Sequence, residues 1–414
     1  MNNPSDHSRR QFLQSSSALL LAGVTSASRA QSVPATGDYW QQVRAQFSFD
    51  EDAVPMNAAN LCPSFRAVAE RVSQLTADID HDCSFNNRAK FSTMLEDSRA
   101  RVASQLNVSG DEIALVRNTS EANNIINNGL PLKEGDRVLL WDQNHPTNNV
   151  AWDVRAARFG LHIDRVSTPV QPQNAQDLID AFAAKLSDRT RVLAITHVSN
   201  LSGIALPVTE LTAMAHARGI HVHLDGAQSW GALQVDLRAL GVDSYSASAH
   251  KWYMGPKEVG LLYVNQSSIE KLWPSVVAPG WGASAETTLT GARKFESLGQ
   301  RDDAALAGLG LCAEIHDRIG PARIQARITE LAQRLKVGLT EAGIRLVTPM
   351  DPSLSHGVCI LRVPDGQGGN LSNRLYSEHG IAAAATGGLR LCPTIYNTEQ
   401  HIDRAIAGVR ALMG

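Results

Sequence analysis

An α/β fold on a mainly parallel sheet is predicted by three features of this 414-residue chain. Short, continuous apolar runs recur at 137–141, 192–196, 221–224 and 260–264, as strands buried on both faces require. Between such runs lie segments, 175–186 and 209–217, whose apolar residues repeat at spacings of three and four, each leading through a polar turn into the next strand. One run ends in a carboxylate, His223-Leu224-Asp225-Gly226-Ala227-Gln228. In an open sheet covered by helices this places Asp225 at the carboxyl edge, where ligands bind.

The remaining elements follow in order. Ile113-Ala114-Leu115-Val116 reads as a strand, and Asn118-Thr119-Ser120-Glu121-Ala122 opens a helix behind it, with the character of a capping box. Backbone N–H groups and two hydroxyls at that helix start can also hold a phosphate, and the two roles are compatible. Texture changes at the Gly-rich stretch Pro279-Gly280-Trp281-Gly282-Ala283-Ser284. Beyond it, 304–319 and 321–342 read as helices, the second with Pro321 in its first turn. A strand at 357–363, a Pro/Gly loop at 364–370 and a closing helix at 399–412 complete a smaller α+β region. The expected organisation is a leader at 1–30, an N-terminal segment at 31–55 packing on the small domain, a large domain at 56–285 and a small domain at 286–414.

Composition narrows the function. With 43% hydrophobic and 19% charged residues the chain is an ordinary globular one, and a net charge of -3 with no Lys/Arg block gives no field for nucleic acid. The five cysteines, Cys62, Cys83, Cys312, Cys359 and Cys392, show no Cys-x-x-Cys and no zinc spacing, and their odd count argues against a disulfide framework, so no metal site is expected. At the N-terminus, Ser8-Arg9-Arg10-Gln11-Phe12-Leu13 precedes a mild apolar stretch at 18–24 and the small-residue site Ser28-Arg29-Ala30. This resembles a twin-arginine export signal, which implies a periplasmic mature protein beginning near Gln31. The apolar stretch is too short for a permanent membrane span.

The chemistry concentrates in Ser248-Ala249-His250-Lys251. A lysine closing a small-residue run can form a Schiff base with an aldehyde cofactor, while Ser248 and His250 could reach a phosphate on it. A strand-ending aspartate can serve a turn or a helix cap. It can also keep a pyridine nitrogen protonated and so make the ring an electron sink. Pyridoxal 5'-phosphate (PLP) requires both the lysine and the aspartate, and here Asp225 precedes Lys251 by a short interval.

With these residues the chain resembles the class V aminotransferases, fold type I PLP enzymes that include cysteine desulfurases, kynureninase and isopenicillin N epimerase-like proteins, over nearly all of its mature length. The resemblance implies a large domain with a seven-stranded type of sheet. It also implies a phosphate cup at Thr119 and Ser120, with Ser248 and His250 completing it, and a ring-stacking role for His145 in Asn144-His145-Pro146-Thr147-Asn148. Asn200 and Gln228 would approach the phenolic oxygen, Asp225 would pair with the ring nitrogen, Lys251 would carry the cofactor and move protons, and Arg390 would grip the substrate carboxylate. Where relatives place Gly-Thr, this chain has Gly299-Gln300, so Gln300 is the candidate donor to a partner subunit's phosphate. Asn60, His81 and Arg88 are candidate substrate-facing positions in the N-terminal segment. The family builds its site between subunits, so a homodimer is implied.

The expected activity is transamination, epimerisation or related Cα or side-chain chemistry on an amino-acid-like or peptide substrate. Export makes a siderophore peptide one candidate. The alternatives are a C–S or C–C lyase of the cysteine desulfurase or kynureninase type, or an exported ligand-binding protein without turnover. Sulfur transfer is disfavoured, because the stretch 381–388 holds no cysteine and Cys392 follows Arg390.

Overall fold

The structure, a computed structural model, describes residues 36–277 and 291–413. The export-signal motif and the Gly-rich stretch from Pro279 therefore lie outside the described residues. Residues 40–414 cluster as one compact unit, apart from residues 1–39.

Seven strands form the central sheet: β2 (Ile113–Val116), β3 (Arg137–Trp141), β4 (His162–Val166), β5 (Thr190–Thr196), β6 (His221–Asp225), β7 (Ser244–Ser248) and β8 (Gly260–Val264), preceded in the chain by the two-residue β1 (Val54–Pro55). Their order across the sheet is β2-β8-β7-β6-β5-β3-β4. Pairing is parallel from β7 through β6, β5 and β3 to β4. The strand at 260–264, expected among the parallel ones, instead runs antiparallel to both of its neighbours. The reason is the connection: a parallel return needs a crossover element, and residues 249–259 form only a loop, so the chain doubles back. That loop contains Lys251.

The helices that position the site are α1 (Arg66–His81), α2 (Lys90–Gln105), α3 (Thr119–Gly129), α4 (Pro146–Phe159), α5 (Ala175–Ala183), α6 (Val208–His216), α7 (Asp303–Ile319), α8 (Pro321–Glu341), α9 (Gly368–His379) and α10 (Glu399–Met413). Ala122, Ile125 and Ile126 of α3 are buried with Ala114, Val116, Val138, Leu140, Val192 and Leu262 of the sheet in one core. Burying such apolar side chains stabilises by about 1.5–3 kcal/mol each, so the start of α3 is held firmly over the strand ends. Gly260 permits this approach, because a Cβ there would lie 2.9 Å from Asn118 Cα.

In the C-terminal region β9 (Cys359–Leu361), shorter than the strand read at 357–363, joins β12 (Leu389–Leu391) and β11 (Ala384–Ala385) in an antiparallel sheet of order β11-β12-β9. Strand β10 (Ile381–Ala382) pairs in parallel with β1, bringing residues 54–55 onto this region. Val54 and Met56 share a core with Leu331, Leu335, Ile381, Leu391 and Ile402. Helix α7 follows a different course and packs on α1 and α2. No helix among the described residues is long and apolar enough to cross a membrane, and none of their His, Cys, Asp and Glu side chains form a group of three that could hold a metal.

Candidate active site

Five strands deliver residues to the carboxyl edge. The segments after β2, β3, β5, β6 and β7 surround a cavity of about 180 Å³ lined by Thr119, Ser120, His145, Asn200, Asp225, Gln228, Ser248, His250 and Lys251 together with Asn118, Thr147, Thr196 and Ala227. The predicted residues of five separate segments thus meet in one place.

One end of the cavity is the start of α3. Asn118 caps it, its side-chain oxygen accepting from Glu121 N–H at 3.0 Å. The Glu121 carboxylate accepts from Arg117 N–H at 2.6 Å, one residue ahead of the cap, so the expected capping box closes one position early. Thr119 donates its N–H to Ser248 Oγ at 2.8 Å, and the two hydroxyl oxygens lie 2.7 Å apart. Ser120 is exposed beside them. A helix start, two clustered hydroxyls and a serine form an anion-binding end. His250 also faces this cavity, where burial, with Lys251 and Lys257 nearby, pushes it down to about 4. It is therefore a neutral hydrogen-bonding group at neutral pH.

The other end is built around Asp225, which is buried. Its Oδ1 accepts from Ala227 N–H at 3.0 Å and its Oδ2 from Asn123 Nδ2 at 2.9 Å. Lys251 stands in a loop fixed by three backbone bonds: Ala249 N–H to Val259 O, Met254 N–H to Lys251 O and Gly255 N–H to Ala249 O. Next to it, Trp252 is wholly buried and donates from Nε1 to Gln228 Oε1 at 2.7 Å. Among the described residues the Lys251 amine has no hydrogen-bond partner. Desolvation holds its pKa below the ordinary lysine range, Asp225 opposing the shift and Arg390 reinforcing it.

His145 caps α4, its Nδ1 accepting from Thr147 N–H at 3.3 Å and lying 2.8 Å from the Thr147 hydroxyl. In the neutral ring this leaves the proton on Nε2. Burial first, then the charge of Lys251, lowers its pKa. Gln228 is more constrained than its sequence context implied. Its carbonyl takes the Trp252 indole and its Nε2 donates to Ala59 O at 3.0 Å, so a single amide hydrogen remains for a ligand. Asn200 uses its backbone carbonyl on Arg390.

Arg390 on β12 is buried. Its Nη1 donates to Asn200 O at 3.1 Å, its Nη2 to Asn57 Oδ1 at 3.0 Å, and its Nε has no partner. Two contacts orient the guanidinium beside Asn200, and Arg390 is not itself among the residues that line the cavity. Four residues named from the sequence stand elsewhere. Gln300 is exposed and accepts from Arg88 Nη2 at 2.9 Å, and Arg88 also lies 3.6 Å from Asp303. Asn60 and His81 are exposed, and none of the four lines the cavity. Within residues 57–60 it is Asn57 and Ala59 that touch site residues. Sequence reasoning missed Asn57 and Asn123; a polar residue four places after Thr119, and so on the same face of α3, is the signal that could have found Asn123.

A family profile described as aminotransferase class-V matches residues 65–411. The chain belongs to the class V aminotransferase family.

Among its relatives, isopenicillin N epimerase of Streptomyces clavuligerus is 29% identical over 91% of this chain and 98% of its own. A probable cysteine desulfurase of Methanothermobacter thermautotrophicus is 30% identical over 71% of this chain and 74% of its own. In fold, the chain matches a C-DES variant with glycine covalently linked to its PLP cofactor, at a TM-score of 0.80 and 22% identity, over 89% of this chain and 98% of the other. This class V chain has the donor set that PLP needs: an unpartnered lysine amine, a buried carboxylate for the ring nitrogen, and a helix start with two hydroxyls for the phosphate.

The four buried thiols of this class V chain are the wrong kind for a nucleophile. Cys62, Cys312, Cys359 and Cys392 are buried and Cys83 is exposed. Burial pushes Cys62 and Cys359 up to about 12 and raises Cys392 and Cys312 as well. Native protein treated with an aromatic disulfide reagent should therefore release one fast thiol equivalent, from Cys83, and the other four only on denaturation. Fast modification of Cys392 would show a reactive thiol beside Arg390.

Proposed function

We propose that this class V PLP enzyme moves the Cα proton of an amino-acid-like substrate, epimerisation being the outcome best supported. The observation that carries the reading is the Lys251 amine: desolvated, without a hydrogen-bond partner and biased toward its neutral form, beside a cavity that no reactive thiol enters.

When bound, PLP supplies an electron sink for charge left at Cα. The chain's own residues do the rest. Asp225 would accept an N–H from the ring nitrogen, and the start of α3 with Ser248 and His250 would bind the phosphate. Arg390 holds the substrate carboxylate and so fixes which Cα bond faces Lys251. A neutral lysine amine can take up the Cα proton as a general base on the face it occupies; returning it there restores the starting configuration, so inversion is completed by a proton delivered to the opposite face of Cα from a second donor. His145, at the start of α4 and with its pKa lowered by burial, offers a ring face.

Similarity to isopenicillin N epimerase over most of both chains supports inversion at Cα, and the burial of four thiols weighs against persulfide chemistry. The loaded enzyme, incubated in deuterium oxide with L-amino acids and with peptides bearing a free amino-acid end, should yield substrate carrying deuterium at Cα in both configurations. Release of sulfide, ammonia or a keto acid without such exchange would replace epimerisation by lyase or transaminase chemistry.

The twin-arginine motif at 8–13, with its apolar run and small-residue site, supports export of the folded, cofactor-loaded enzyme to the periplasm. There it would work as a homodimer, with a siderophore peptide as one candidate substrate. Cell fractionation should place a shortened chain beginning near Gln31 in the periplasm; an intact chain found only in the cytosol would overturn the export reading.

A further inference from the structure

We infer that Asn123, His223 and Ser244 are positioning residues that form a one-directional, buried hydrogen-bond chain aimed at the Asp225 carboxylate. The inference rests on the reading of Asp225 as acceptor for the ring nitrogen, and names what fixes that group.

The chain spans three elements. On β6 the residues His221, His223 and Asp225 alternate, so their side chains share one face of the strand, and on β7 the same holds for Ser244, Ser246 and Ser248. Parallel register sets His223 opposite Ser244 and Asp225 opposite Ser246. Asn123 comes down from α3 between them. Asn123 is 2% exposed, His223 1% and Ser244 0%, so no solvent can substitute for a missing partner.

The direction of every bond follows from the end that cannot donate. An ionised carboxylate only accepts, so Asn123 must present Nδ2 to Asp225 Oδ2, at 2.9 Å. Its Oδ1 then faces His223 Nε2 at 2.9 Å, and that nitrogen must carry a proton. The Ser246 hydroxyl also donates to Asn123 Oδ1. His223 Nδ1 is left as an acceptor and takes the Ser244 hydroxyl at 2.9 Å. Ser244 Oγ in turn accepts from His221 Nε2 at 3.1 Å. All five donations point the same way, toward Asp225, and aligned dipoles in a low-dielectric interior polarise one another.

The histidines suit this task because they are neutral. Desolvation pushes His223 down to about 3 and His221 to about 4. At the outer end Asp243 Oδ2 lies 3.9 Å from His221 Nδ1 and 2.9 Å from His216 Nε2, so the charged groups there stand apart from the chain that reaches Asp225. Without the His223 donor, Asn123 Oδ1 would keep only Ser246 as a donor among the described residues, and the amide that presents Nδ2 to Asp225 would be held less firmly. A flipped amide would turn a carbonyl oxygen toward the carboxylate.

The test uses the full-length chain, stripped of cofactor and titrated with PLP. His223→Leu removes the donor and keeps the bulk, whereas His223→Gln retains one donor and one acceptor. His223→Leu should bind PLP about tenfold more weakly and shift the visible band of the bound cofactor, the size expected when one buried hydrogen bond is lost. His223→Gln should restore both toward the unsubstituted protein. Should His223→Leu not fold, Asn123→Asp serves in its place, because a second carboxylate against Asp225 should also weaken binding and shift the band. An unshifted band and unchanged affinity in the folded variant would overturn the inference, whatever happens to its thermal midpoint. Failure of the unsubstituted protein to bind PLP would instead overturn the reading on which the inference rests.

Discussion

Parallel pairing of β6 with β7 sets Asp225 opposite Ser246 and carries both strands to the same edge, so the carboxylate and the loop holding Lys251 leave the sheet side by side. Gly226 donates its N–H to Ser246 O at 2.7 Å and has no room for a side chain, since a Cβ there would meet the Tyr245 ring at 2.0 Å. The turn after Asp225 is thereby locked against β7. From this one junction the distance between the acid and the amine, and the place of the cavity between them, follow.

Charge in the site is balanced toward an anionic ligand. Arg390 is the cation and Asp225 the nearby carboxylate, burial lowers the pKa of His145 and His250, and desolvation disfavours protonation of Lys251 and so supports its use as a base. The start of α3 suits a phosphate at one end and Arg390 a carboxylate at the other. Cofactor binding and proton transfer therefore draw on a single electrostatic arrangement.

The outline of this arrangement was legible because it rests on patterns that a one-dimensional reading detects. Apolar runs marked β2, β3, β5 and β6, residue order marked Asp225 and Lys251, the strand-to-helix junction marked Thr119, and the family resemblance marked His145 and Arg390. Strand β7 was illegible for a physical reason: Ser-Tyr-Ser-Ala-Ser is wholly buried but has no apolar signature. Its three serines occupy one face, and each is satisfied by a partner from elsewhere, Ser244 by the histidines of β6, Ser246 by Asn123 and Ser248 by Thr119. The direction of β8 escaped for a different reason, since an apolar run carries no sign of its polarity and only the short loop before it does. Asn57 was missed, though Asn60 was named, because one turn presents Asn57 to Arg390 and exposes its neighbour.

The account stands on Lys251 being the amine that holds the cofactor. Borohydride reduction of the PLP-loaded protein, followed by proteolysis and mass mapping, tests this most directly. A pyridoxyl adduct confined to Lys251 is the predicted result. An adduct on Lys257 or another lysine with Lys251 unmodified, or no adduct in protein that binds PLP, would contradict it.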